Sequence, residues 1–164
     1  MELKRRLNFN VVFVVVYALA FLSYIIFGLQ PAEAVQDEYD ATLSIPSISL
    51  DTPVVELQLN NHELETPNSI VGSFSNHQNK TLLIAHSTTA FSNLNAIQLN
   101  DAVYYSNNMY KVIKVNTLEK QNINMSEILS ESNDDTLVLM TCAGELLEGG
   151  DATHRLIVEA VKSI

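Results

Sequence analysis

In 164 residues the chain has a single cysteine, Cys142. That count excludes an intramolecular disulfide, and with it the zinc patterns that need two or more thiolates. Basic residues are almost as scarce, and arginine occurs only as Arg5, Arg6 and Arg155. With Glu2 and the leading Lys4, Arg5 and Arg6 set aside, six Lys plus Arg face eighteen Asp plus Glu, a net charge of minus twelve. A surface so acidic argues against nucleic acid or anionic lipid as partners, and its plain consequence is solubility. There is no internal repeat and no low-complexity tract. EF-hand spacing is also missing, so Glu119, Glu127, Glu131, Asp134 and Asp135 read as a solvated acidic loop rather than a Ca²⁺ site. No cofactor and no required metal is expected.

What the chain does have begins at its N-terminus. Lys4, Arg5 and Arg6 precede an apolar run from Val11 to Leu29 in which Ser23 is the only strongly polar side chain. At a rise of about 1.5 Å per residue the run is roughly 28 Å long, close to the roughly 30 Å hydrocarbon core of a bilayer. The basic cluster before it predicts a single-pass anchor in the cell membrane, N-terminus cytoplasmic and the remainder extracellular. A cleaved secretory signal is the rival reading, since Ala32-Glu33-Ala34 has a small-x-small pattern. The run is longer than the usual signal core, which favours a retained anchor. The expected organisation is a basic tip and transmembrane anchor over residues 1–29, an acidic linker over 30–39, and one domain over 40–164. About 125 residues is enough for such a domain to bury its own core without staples.

Beyond the linker the apolar period is mostly two rather than 3.6. Leu43, Ile45, Ile48 and Leu50 flank Pro46, which cannot donate to a central ladder, so they read as an edge or bent strand pair. Further strands are expected over 54–59, 81–85, 102–106, 109–115, 136–141 and 156–161, rich in Val, Ile, Leu and Tyr. Asn107-Asn108 suits a two-residue hairpin because asparagine tolerates positive φ. Only 89–97 and 126–129 look helical. So many short strands predict an all-β fold, a closed or nearly closed barrel that leaves no open strand edge.

Cys142 ends one strand and Arg155 opens the next, so a thiol and a guanidinium can stand side by side. A free thiol ionises near pH 8.5, and an acidic domain that uses a thiolate needs a local cation. Arginine supplies a permanent one; a histidine adds a group that also transfers protons. His86 is the best-placed histidine, at the exit of the buried run Thr81 to Ala85. His62 and His77 lie in polar sequence and are assigned to solvent. Strand alternation turns His154 away from the face of Arg155.

With these residues in view the chain resembles the sortases, membrane-anchored cysteine transpeptidases of mainly Gram-positive bacteria. The resemblance runs from Leu43 to the C-terminus. Leu43 to Val54 is similar to the family's opening strands. Leu83-Ile84-Ala85-His86, followed by Phe91, Leu94, Asp101 and Tyr110, is similar to the segment that carries its histidine. Leu139-Met140-Thr141-Cys142 resembles its Thr-Leu-x-Thr-Cys strand, and Arg155 to Ala160 its arginine strand. Ala85 and Ser87 stand where the family usually has glycine and often arginine, and Val138 replaces the first threonine of the cysteine motif. None of these departures removes a catalytic group.

The resemblance implies an eight-stranded sortase barrel in which Cys142 attacks a C-terminal sorting signal, commonly Leu-Pro-x-Thr-Gly, between Thr and Gly. A thioester forms and is resolved by the amine of a cell-wall precursor or a pilin lysine. His86 is then the proton donor and acceptor, Arg155 the oxyanion or carbonyl partner, and Thr141 an assisting group at the substrate. The segment 117–135 corresponds to the family's substrate-facing connection, where Ile123, Met125, Ile128 and Leu129 form either an apolar wall for the peptide or a cap on the barrel. With no long segment before the barrel, a lidless form is expected. Two other readings stay open: an inactive sortase-like module that binds a partner at the membrane, and a metal site made by Cys142, His86 and His154.

Overall fold

The structure is a computed structural model that describes Tyr39 and residues 41–60, 63–77, 79–148 and 151–163. The expected membrane span over 11–29 and nearly all of the linker lie outside these residues. Among the described residues no helix is long and apolar enough to cross a membrane. They belong to one unit, Tyr39–Ile164.

Eight strands form in chain order: β1 Ala41–Ile45, β2 Leu50–Glu56, β3 Val71–His77, β4 Lys80–Ile84, β5 Ala102–Tyr105, β6 Asn108–Glu119, β7 Thr136–Leu146 and β8 Ala152–Lys162. They close into a barrel in the order β1-β2-β3-β4-β7-β8-β6-β5, with Leu43 and Ser44 of β1 pairing Tyr105 and Tyr104 of β5 to seal it. The β2–β3 and β4–β7 pairs are parallel and the rest antiparallel. Among the described residues helix is confined to α1, Met125–Ile128, and three 3₁₀ turns. The all-β barrel expected from the period-two pattern is therefore present.

Two apolar layers explain why β4 and β7 read as nearly continuous apolar runs rather than alternating ones. Inside the barrel, Leu43, Ile45, Val54, Val71, Leu83, Leu137, Leu139 and Val158 are fully buried. On the outer face Leu82, Ile84, Val138 and Ile157 are also buried, beneath Leu57, Leu64, Ile123, Ile128, Leu129 and Met140. Strands covered on both faces carry hydrophobes at every position. The long β2–β3 and β6–β7 connections supply the outer cover.

Several local expectations change. The segment 89–97 is a series of turns ending in a 3₁₀ turn at Leu94–Ala96 rather than an α-helix, although Phe91, Leu94 and Ile97 are buried as their spacing predicted. Ser87, Thr88, Thr89, Ser92, Asn93 and Asn95 explain the loss, because such side chains compete with the helical backbone. The hairpin turn sits one residue early, at Ser106-Asn107, where φ is 46° and 64°. Strand β3 was not expected at all: Gly72, Ser73, Ser75 and Asn76 hide its period.

Candidate active site

The site forms where the outer apolar layer reaches the ends of three neighbouring strands. The parallel register of β4 with β7 sets Leu82 beside Val138 and Ile84 beside Met140. Past the end of β4, the Thr141 hydroxyl bonded to the Ala85 carbonyl keeps the chain beside β7, and His86 and Cys142 are the next residues on the two segments. On the other side of β7, Cys142 is paired directly with Arg155. Side chains two apart share a face, so His86 follows Leu82 and Ile84, Cys142 follows Val138 and Met140, and Arg155 precedes Ile157. The three residues thus fall in a row, His86 just past β4, Cys142 on β7 and Arg155 on β8.

His86 lies just past the end of β4, and a side-chain bond keeps it in register. The buried Thr141 hydroxyl donates to the Ala85 carbonyl at 2.7 Å, tying the residue before the histidine to the residue before the cysteine. All three members of the row are half-buried. They line one cavity of about 500 Å³ together with Leu59, Leu64, Leu82, Ile84, Met125 and Leu129, and with Thr66, Met140, Thr141 and Asp151. The cavity is thus a mostly apolar trough whose lining includes the thiol, imidazole and guanidinium.

Arg155 is held by three acceptors. Nη1 donates to the Ala152 carbonyl at 3.0 Å and to the His154 carbonyl at 2.9 Å, and Nη2 donates to Asp151 Oδ1 at 2.7 Å. Asp151 also accepts from Lys120 Nζ and from the Ala152 backbone N–H. The bonds from Lys120 and then Arg155 hold its carboxyl well below the usual carboxylate range.

Of the residues singled out in the sequence, Cys142, His86, Arg155, Thr141 and Met125 come together at this cavity. Ile123 and Ile128 do not. They line a separate depression with Val138, Ile157, Lys114 and Glu159, on the other side of α1. His154 faces away as alternation predicted: it pairs with Ala143, bonds Thr153 Oγ1 at 2.8 Å and lines another depression. The Cys142–His86–His154 metal site is therefore not assembled. Asp151, Lys120, Leu59, Leu64 and Thr66 escaped the sequence reading. Only the nearness of Asp151 to Arg155 was visible there, and four residues apart along extended chain is not a contact signal.

The sortase-domain family profile matches residues 43–163. The chain belongs to the sortase family. Sortases are cysteine transpeptidases, and the row of His86, Cys142 and Arg155 falls wholly within the matched region. Solved sortases share the fold of this one. Sortase A of Listeria monocytogenes is 14% identical, with a TM-score of 0.61 over 78% of this chain and 89% of that one. Sortase C2 of Group B Streptococcus Pilus Island 1 is 20% identical, with a TM-score of 0.60 over 78% and 76%. The lid mutant of Corynebacterium diphtheriae sortase A is 22% identical, with a TM-score of 0.56 over 76% and 69%. No curated protein matches the sequence of this sortase.

Proposed function

We propose that this sortase cleaves a C-terminal sorting signal of the Leu-Pro-x-Thr-Gly type and joins the released carboxyl end to an amine at the cell surface. One observation carries the reading: Cys142, His86 and Arg155 line one mostly apolar trough, with Cys142 paired directly with Arg155.

In the first step the Cys142 thiolate sulfur bonds to the carbonyl carbon of the scissile peptide. Arg155 offers N–H donors to the oxygen as it gains negative charge. The tetrahedral centre collapses by breaking the C–N bond, and protonated His86 delivers its proton to the departing amine. A thioester remains. An incoming amine attacks it, His86 takes the proton, and the sulfur leaves as the thiolate. Leu59, Leu64, Met125 and Leu129 supply apolar wall for the Leu-Pro portion of the signal. Thr141 keeps His86 in register.

The acceptor is the amine of a cell-wall precursor or a pilin lysine. The substrates are exported proteins that meet a catalytic domain held outside the cell by the 11–29 anchor, with the basic tip in the cytoplasm. Mass spectrometry of the full chain incubated with Leu-Pro-x-Thr-Gly peptide libraries tests the reaction. A thioester adduct on Cys142 that passes to hydroxylamine or triglycine is the expected result, and absence of any adduct with every library overturns it.

A further inference from the structure

Arg155 has five N–H donors, and the protein's own acceptors occupy three of them. Two bonds come from Nη1 to carbonyls of its own strand and anchor one corner of the guanidinium. The third, from Nη2 to Asp151, anchors a second corner and is the bond that a side chain rather than the backbone supplies. Two donors are left for a substrate oxygen, in an orientation set by Asp151. Such an arrangement normally neutralises the arginine. Here Lys120 shares the same carboxylate through its other oxygen, so two cations and one anion leave the cluster with a net charge of plus one beside Cys142. The clamp also joins the β7–β8 connection to the start of the β6–β7 connection, which carries Met125 and Leu129.

We infer that Asp151 is a positioning residue for thioester formation: it holds the Arg155 guanidinium in the plane that meets the reacting carbonyl, while Lys120 preserves the positive charge of the site. The inference rests on the transpeptidase reading above. The carboxyl does not touch substrate; it acts through Arg155. Its effect is felt wherever the carbonyl turns tetrahedral and its oxygen becomes a strong acceptor, and acylation is the first such step. The bonds from Lys120 and then Arg155 hold the Asp151 carboxyl below the usual carboxylate range, so the clamp is charged at neutral pH.

Asp151→Ala and Asp151→Asn in the full chain test this with two readouts. The first is the ¹⁵Nη–H signal of Arg155, which is simple to identify because the chain has three arginines and Arg155→Lys removes the signal. Slow solvent exchange is expected in the wild type, loss of the signal in Asp151→Ala, and retention in Asp151→Asn, which keeps an oxygen for Nη2. The second is single-turnover acylation by a Leu-Pro-x-Thr-Gly peptide. Asp151→Ala should acylate about tenfold to a hundredfold more slowly, the scale of a slightly misplaced group, with KM little changed and melting close to wild type; Asp151→Asn should lose less. An ordered Arg155 in Asp151→Ala, or acylation at the wild-type rate, overturns the inference. If Asp151→Ala does not fold, Asp151→Ser, whose short side chain cannot reach Nη2, takes its place: an ordered Arg155 or wild-type acylation in that variant overturns the inference equally. A wild type that keeps Arg155 ordered yet acylates with no peptide overturns instead the transpeptidase reading, and with it the role given to Asp151.

Discussion

The Thr141 hydroxyl donates to the Ala85 carbonyl at 2.7 Å inside the barrel wall, and this bond sets the histidine beside the cysteine. Strand β4 ends at Ile84, so beyond it no ladder bond holds His86 level with Cys142. The threonine of the cysteine motif takes over that task. Replacing it with the nearly isosteric valine leaves the Ala85 carbonyl short of a donor, at a cost of about 1–3 kcal/mol. Thr141→Val should therefore lower the melting temperature and reduce kcat while KM changes little, and Thr141→Ser should recover both. Thermal melting with steady-state transpeptidation checks the pair; a KM effect alone contradicts it.

Arg155→Lys keeps the charge but loses the fork. One ammonium cannot serve the Ala152 and His154 carbonyls, the Asp151 carboxylate and a substrate oxygen in their present directions. A fall in kcat/KM corresponding to about 2.7–4 kcal/mol is expected, the cost of losing one well-aimed donor. A loss of less than tenfold in peptide cleavage counts against the oxyanion role.

The two sides of α1 can be told apart by mutation. Met125 and Leu129 line the cavity that holds Cys142, whereas Ile123 and Ile128 line the other depression. Burying an aliphatic side chain against a ligand is worth about 1.5–3 kcal/mol when complete. Met125→Ser and Leu129→Ser should each raise KM for a Leu-Pro peptide about tenfold. Ile123→Ser should leave KM unchanged and lower the melting temperature instead, since Ile123 packs on the outer layer with Val138 and Ile157.

Alkaline stability should depend on Tyr110. Its ring is buried and its hydroxyl donates to Asp135 Oδ1 at 3.2 Å, so burial, then the Asp135 charge, pushes its pKa well above the usual 10.0. Above pH 10 the unfolded chain loses this proton while the folded chain keeps it, and stability then falls as pH rises. Below that range the contribution is fully present and does not vary with pH. Denaturant titrations between pH 8 and 11 should show this decline in the wild type and a flatter limb in Tyr110→Phe.

Gly144, two residues past Cys142, has φ of 77°, and an added Cβ would lie 2.5 Å from Thr153 Oγ1 and 2.6 Å from His154 Nδ1. Gly144→Ala therefore combines an unfavourable backbone conformation, about 1–2 kcal/mol, with a steric clash against β8. The strands should part near the Cys142–Arg155 pair. Slower peptide cleavage together with faster amide exchange at Ala143 and His154 is the expected signature.

The strands that carry chemistry could be read from the chain alone. Thr81 to Ala85, Leu137 to Thr141 and Leu156 to Val161 are apolar and β-branched enough to exclude helix, and alternation assigned Arg155 and His154 to opposite faces. Strand β3 could not be read, since Ser73, Ser75 and Asn76 belong to loops as readily as to a strand whose one neighbour is a parallel crossover partner. Nor could the difference between Met125 and Ile128. Those residues differ only in which side of one short helix turns toward the trough.

Local periodicity and side-chain chemistry settled the all-β class, the single thiol and the one barrel arginine, because each is a property of a strand or a side chain taken by itself. Pairing settled the rest. The antiparallel β7–β8 register sets residues 142 and 155 opposite each other, the parallel β4–β7 pairing carries residue 86 to the same cavity, and Asp151 and Lys120 meet because the ends of β6 and β8 are neighbours in the closed barrel. Hydrogen-bond partners across strands distant in sequence are chosen by the whole barrel at once, which is why the clamp on Arg155 became visible only when the chain was folded.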